Sequence, residues 1–198
     1  MEISNYRYIK HLLLPADWQE APSEETSIGF RTVRSFHPPD LDDVRMEIFY
    51  RGLPMHEKSS ISFRKLLETA PRPVYDRGKT AKPTEVDITL FKDLRELLGN
   101  AGNNQLVNPK TDYLGPTFIV ERFDTLLWNG KNILALRGWF RNPETDVRVY
   151  DFCGFFIDGN PSEPECQVEE IFLEAADQEL YARYLPDFEE SLKSIEWM

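Results

Sequence analysis

The sequence predicts an α+β fold, an antiparallel β-meander sheet flanked by helices, and two observations carry most of that prediction. The first is Trp128-Asn129-Gly130-Lys131, where Asn-Gly sits between apolar runs and supplies the two positive-φ residues of a tight type I′ hairpin turn. The second is the run over residues 117–173, which divides into four strand-like segments at polar or proline-containing turns. A sheet of this kind needs a partner on its apolar face, and an amphipathic helix follows it directly.

With Asn129 and Gly130 in the turn, Trp128 lies opposite Lys131. Pairing then continues as Leu126 with Ile133, Asp124 with Ala135, Arg122 with Arg137 and Val120 with Trp139. Side chains alternate between faces along each strand. One face carries Ile119, Phe123, Leu127, Leu134, Leu136 and Phe140, a core; the other carries Arg122, Asp124, Arg137 and Trp139, a mixture of charge and aromatic surface. On the simplest pairing of the next strand, Arg148 and Tyr150 join the mixed face, followed by Phe152 and Phe156. Residues 168–173 complete the meander after the turn at Gly159-Asn160-Pro161.

Upstream, residues 6–14 read as a short strand stopped by Pro15-Ala16-Asp17-Trp18, with Trp18 anchoring the turn to the core. Residues 19–26 read as a loop and 28–36 as a strand ending at His37-Pro38-Pro39-Asp40. In the segment from Val44 to Tyr50, Val44, Met46, Ile48 and Tyr50 point one way and Arg45 and Glu47 the other, a half-buried strand. Ser59 or Ser60 caps a helix whose Phe63, Leu66, Leu67 and Ala70 share a face and which ends at Pro71. Residues 71–83, rich in proline and basic side chains, read as a surface loop. Thr84 and Asp87 open a second helix with the stripe Ile88, Phe91, Leu94 and Leu98, closed by Gly99. Residues 100–116 form a long connection into the meander. After it, Asp177 is the N-cap of a last helix, Pro186 interrupts that helix unless it begins a new segment, and Leu185, Phe188, Leu192 and Ile195 form the covering stripe. Asp187, Glu189 and Glu190 then fall where a helix N-terminus favours negative charge.

The length of 198 residues and a hydrophobic content of 41% suit one domain spanning 1–198. No run approaches the roughly 18 consecutive apolar residues of a membrane span, and Glu2, Arg7 and Lys10 are unlike a signal peptide. A cytoplasmic location is therefore expected. Cys153 and Cys166 imply no disulfide framework; although they are candidates to face each other across neighbouring strands, the reading adopted is two reduced thiols. The net charge is −11. Residues 158–198 hold twelve acids and two bases, so the first 157 residues are nearly neutral. Such an acidic end repels nucleic acid and anionic membrane, and reads as a solvated surface or a site for a basic protein segment.

Catalytic signatures are missing from the sequence. It has no Gly-rich phosphate loop, Gly-x-Ser-x-Gly elbow, His-Glu-x-x-His or Cys-x-x-Cys motif. His11, His37 and His56 stand alone, and Asp40, Asp42 and Asp43 do not have calcium-loop spacing. Asp151 and Glu121 are the candidate acid–base pair, and nothing in the sequence separates their pKa values. No catalytic residue, metal site or cofactor is assigned. The candidate binding residues are Arg122, Asp124, Arg137, Trp139, Arg148 and Tyr150, because arginine and aromatic side chains dominate interaction hot spots. Arg122 opposite Arg137 also requires an anion close by, and Asp124 is the internal candidate.

Two short motifs bracket the chain. Leu14-Pro15-Ala16-Asp17-Trp18 is similar to an opening Leu-Pro-x-x-Trp, and residues 188–195 to a closing Phe-x-x-x-Leu-x-Ser-Ile. In these the chain resembles the PsbP-like family and its relatives, the DcrB-like bacterial proteins and the eukaryotic Ran-binding release factor. The resemblance implies an α/β/α sandwich that binds other proteins and lacks catalytic chemistry, with soluble adaptors or chaperones among the relatives. It carries over no functional residue, because the matched positions are structural.

Three functional readings follow. The first is a non-catalytic cytosolic protein-binding module, an adaptor or chaperone being one form of it. The second is an enzyme or small-ligand binder holding an anion at Arg122 and Arg137, and the third an immunity-type inhibitor whose acidic surface blocks a basic toxin.

Overall fold

The computed structural model describes residues 1–22, 32–50, 52, 54–55, 57–77, 117–142, 145 and 147–198, without the side chains of 32, 117–120 and 149. The expected helix over 84–99, the connection 100–116 and His56 lie outside the described residues. Eleven strands and two helices are described. The strands are β1 (Glu2–Tyr6), β2 (Ile9–Leu13), β3 (Gln19–Glu20), β4 (Thr32–His37), β5 (Val44–Tyr50), β6 (Arg72–Asp76), β7 (Thr117–Trp128), β8 (Lys131–Arg141), β9 (Arg148–Asp158), β10 (Val168–Ala175) and β11 (Glu196–Trp197). The helices are α1 (Glu57–Leu67) and α2 (Gln178–Lys193).

All recorded strand pairs are antiparallel, in an eight-stranded sheet ordered β3-β4-β5-β10-β9-β8-β7-β6 and a three-stranded sheet ordered β1-β2-β11. The predicted meander is thus β7 to β10. Its Asn129 and Gly130 turn at φ of 46° and 81°. The register is as expected from Trp128↔Lys131 to Arg122↔Arg137. Beyond that a bulge at Glu121 shifts it by one, so that Val120 faces Gly138 and Ile119 faces Trp139. Alternation alone cannot anticipate an inserted residue.

Both faces of the large sheet are covered, which corrects the expectation of an open mixed face. On one, Phe63, Leu66 and Leu67 of α1 pack on Phe123, Leu134, Leu136, Phe140, Phe156 and Phe172. On the other, Phe188 and Leu192 of α2 and Ile3, Ile9 and Leu12 of the small sheet pack on Ile133, Ala135, Cys153, Phe155 and Ile171. The expected stripe of the last helix therefore covers part of the face that carries Arg137. Strand β5 is consequently buried on both sides, with Glu47 only 5% exposed, rather than half-buried.

Several local expectations are corrected. Residues 6–14 are not one strand, since β1 and β2 form a hairpin in which Arg7 takes the left-handed conformation at φ 52°. Helix α1 already contains Ser59 and Ser60, and Ser60 bridges rather than caps: its Oγ donates to the Met55 carbonyl (3.1 Å) and accepts from the Cys166 amide (2.8 Å). Ala70 falls outside the helix and is exposed. The segment read as a basic loop contains β6, a position at the sheet margin where Pro73 is tolerated.

Asp177 does cap α2, its Oδ1 accepting from the Leu180 amide at 2.8 Å. The helix then runs through Pro186 without interruption, so Asp187, Glu189 and Glu190 lie within it and not at an N-terminus. Instead Glu189 and Glu190 pair with Arg137 and Lys193. Trp18 is buried, edge-on to Tyr184 at 6.0 Å. The β7–β8 hairpin tip is fastened to the end of α2: the Trp128 indole donates to the Leu192 carbonyl (2.8 Å) and the Asn129 amide to Ile195 (2.9 Å).

Candidate functional site

The predicted binding residues do not form one surface. Trp139 pairs with Asp151 and Phe140 with Tyr150, so Tyr150 points to the α1 face. There it packs beside the phenylalanine cluster, and burial raises its pKa while Arg45 opposes the shift. The register slips again between Phe140 and Arg141, whose partners are Tyr150 and Arg148. The slip returns Arg148 to the α2 face, where its Nε donates to Asp151 at 3.0 Å. Phe152 and Phe156 also belong to the α1 face and Cys153 and Phe155 to the α2 face, the reverse of the simplest pairing.

Arg122, Asp124, Arg137, Trp139 and Arg148 remain together on the α2 face, towards its β6 margin. The Arg122 Nε meets Asp124 Oδ2 at 2.5 Å, Arg137 meets Glu189 of α2 at 2.6 Å, and Arg148 is held by the buried Asp151. The two facing arginines are thus each neutralised, Arg122 by the expected Asp124 and Arg137 by a helix residue not anticipated. Trp139 is half-buried, and two guanidiniums lie over its ring, Arg148 at 4.6 Å and Arg77 at 5.0 Å from the centroid. Sequence reasoning missed Arg77, which had been assigned to a loop; recognising β6 as a strand would have brought it beside the hairpin.

Beneath this surface the buried Cys153 thiol meets the half-buried Tyr181 and Arg137 side chains. Burial pushes the Cys153 thiol up to about 11, with Arg137 pulling it down, and burial raises Tyr181 strongly. Cys166 lies in the α1-side cluster, its thiol also raised by burial to about 11, so the two cysteines are free and in different clusters. Glu121 is exposed and Asp151 buried. Among the described residues no group of three His, Cys, Asp or Glu side chains is arranged to hold a metal ion.

The acidic C-terminal segment divides between core and surface, with Glu163, Glu165, Asp177, Glu179, Asp187, Glu190 and Glu196 exposed. Asp158, Glu169, Glu170 and Glu174 are buried. Arg64 pairs with Asp158 (2.8 Å) and Arg45 with Glu174 (2.5 Å), while Arg7 grips Glu169 through Nε at 2.9 Å from each carboxylate oxygen. Lys10 pairs with Glu196 at the surface. An open cavity of about 520 Å³ beside the N-terminus of α1 is bordered by Glu57, Glu163 and Glu165, a lining that repels anions.

No family model and no curated protein matches the chain. Its architecture defines it as an α+β protein of PsbP-like fold. The solution structure of cyanobacterial PsbP (CyanoP) from Synechocystis sp. PCC 6803 is similar, with a TM-score of 0.54 at 9% identity over 100% of this chain and 92% of that one. At this identity the likeness shows the fold alone. Among the described residues, no helix is long and apolar enough to cross a membrane.

Proposed function

We propose that the chain is a non-catalytic, cytosolic protein-binding module of the adaptor or chaperone kind, engaging its partner through the Trp139 surface. The observation that carries this reading is the half-buried tryptophan under two guanidiniums. It presents a rigid aromatic plane, with Arg122 beside it still half exposed at 53%, and arginine and tryptophan are the residues that most often anchor interfaces. The ion pairs on Arg122, Arg137 and Arg148 favour this over a small-anion site, since an anion would have to displace Asp124, Glu189 or Asp151. A cytosolic location accords with two free, buried thiols.

The test is affinity capture from lysate of the source cells with wild type, Trp139→Ala and Arg122→Glu, each checked for an unchanged circular dichroism spectrum. A partner held by wild type and lost by both folded variants supports the reading. Equal retention by all three moves the interface elsewhere.

A further inference from the structure

Resting on that reading, we infer that the Trp139 surface takes a carboxylate-bearing partner segment, an acidic peptide stretch with an aromatic or apolar residue next to its acids. Arg148, Arg122 and Arg137 each have a carboxylate partner, but Arg77 has none within 4.0 Å among the described residues. Its side chain is exposed, and among the described residues it lies against the Trp139 ring, over which Arg148 also lies. The backbone nevertheless fixes its position, since the Arg77 amide donates to the Glu121 carbonyl at 2.8 Å, tying the end of β6 to the bulge of β7. Arg77 is therefore a presented cation. Its planar fork is pre-organised for a bidentate carboxylate, and stacking on an indole leaves its N–H edge free.

Charge distribution selects the partner further. Arg122, its side chain half exposed and held by Asp124, lies on the same margin, its backbone opposite Asp76 in the β6–β7 register. The competing anions at this margin are Glu121, exposed at the bulge, and the half-buried Asp76 opposite Arg122. A partner carboxylate at Arg77 supplies a counter-charge, while an adjacent aromatic or apolar side chain covers the open part of Trp139. A basic segment would meet Arg77 as a like charge.

The experiment is fluorescence anisotropy with a fluorescein-labelled Glu-Glu-Tyr-Glu-Glu peptide and its Gln-Gln-Tyr-Gln-Gln and Lys-Lys-Tyr-Lys-Lys analogues, at low and high salt. The acidic peptide binds about tenfold more tightly than the glutamine analogue, weakens with salt and loses about tenfold with Arg77→Ala. Glu121→Gln, which removes one competitor, tightens it. Equal binding of the acidic and glutamine peptides, or no effect of Arg77→Ala, overturns the carboxylate preference. If Trp139→Ala then abolishes both peptides, the binding face itself stands. Failure of all three peptides to bind at about 1 mM overturns the inference and counts against the face as well.

Discussion

Replacing Arg7 with Ala strikes the contact that ties the β1–β2 hairpin to the large sheet. The guanidinium lies over the Tyr50 ring at 4.6 Å and donates through Nε to both oxygens of Glu169 at 2.9 Å. The Glu169 side chain is 3% exposed and that of Arg7 26%. The substitution leaves a buried carboxylate whose nearest compensation is the half-buried Lys131 ammonium. Breaking one side of a buried pair costs about 3–5 kcal/mol, and the exposure of Arg7 argues for the lower end, about 3 kcal/mol. For a chain of this size that is a melting temperature lowered by about 6–12 °C.

Burial already raises the Glu169 pKa, with Arg7 opposing it. The folded chain therefore takes up this proton at higher pH than the unfolded chain. The resulting stability is present in acid and lost as pH rises through the folded value. Removing Arg7 raises that value further. The Arg7→Ala deficit is consequently largest at neutral pH and shrinks on acidification towards the carboxylate range, and Glu169→Gln abolishes this dependence. Thermal and urea unfolding of the two single variants and the double variant measure it, with Glu169→Gln restoring at least about 1.5 kcal/mol to Arg7→Ala. A loss below about 1 kcal/mol for Arg7→Ala, or a double variant no better than it, would refute the argument.

Three further outcomes follow from the packing. A Cβ at Gly154 would approach Phe152 Cζ to 2.6 Å and Phe156 Cε2 to 3.1 Å inside the aromatic cluster, so Gly154→Ala costs about 1–3 kcal/mol in urea unfolding, where a neutral result would mean the rings move freely. Gly130 holds φ 81° in the hairpin turn, and Gly130→Ala is expected to cost about 1 kcal/mol with the far-ultraviolet spectrum unchanged. With both thiols raised to about 11, about one in a thousand is ionised at pH 8; Ellman's reagent should leave both unreacted in the native protein and modify both promptly in denaturant.

The sequence was most legible where one local rule dominated. Asn129-Gly130 defined a hairpin and its register for seven residues, the alternating segment from Val44 to Tyr50 is β5, and Asp177 caps α2. It was least legible at the two register slips. The bulge at Glu121 moved Trp139 opposite Ile119, and the slip at Arg141 sent Tyr150 through the sheet while keeping Arg148 beside Trp139. One inserted residue reverses every later side chain, and no composition rule marks where it falls. The acidic end was legible in part: most of its acids are exposed as a solvated surface requires, but charge counted along the chain does not reveal that Arg7, Arg45 and Arg64 meet Glu169, Glu174 and Asp158 inside the fold. Arg77 was hidden by Pro73, which suggested a loop where the sheet margin accepts a proline.

The position of β10 bears on how the molecule is made. This late strand lies between β5 and β9, and its Glu174 reaches Arg45 across 129 residues of sequence. Until β10 emerges from the ribosome, β3-β4-β5 and β6–β9 are separate ribbons, each exposing a row of unpaired backbone donors and acceptors along the side destined for the middle of the sheet. Those rows invite pairing with other nascent chains. A stalled chain ending before residue 168 should therefore aggregate or recruit a chaperone, and the complete chain should fold slowly for its size because its central seam is the pairing of the eight-stranded sheet most distant in sequence.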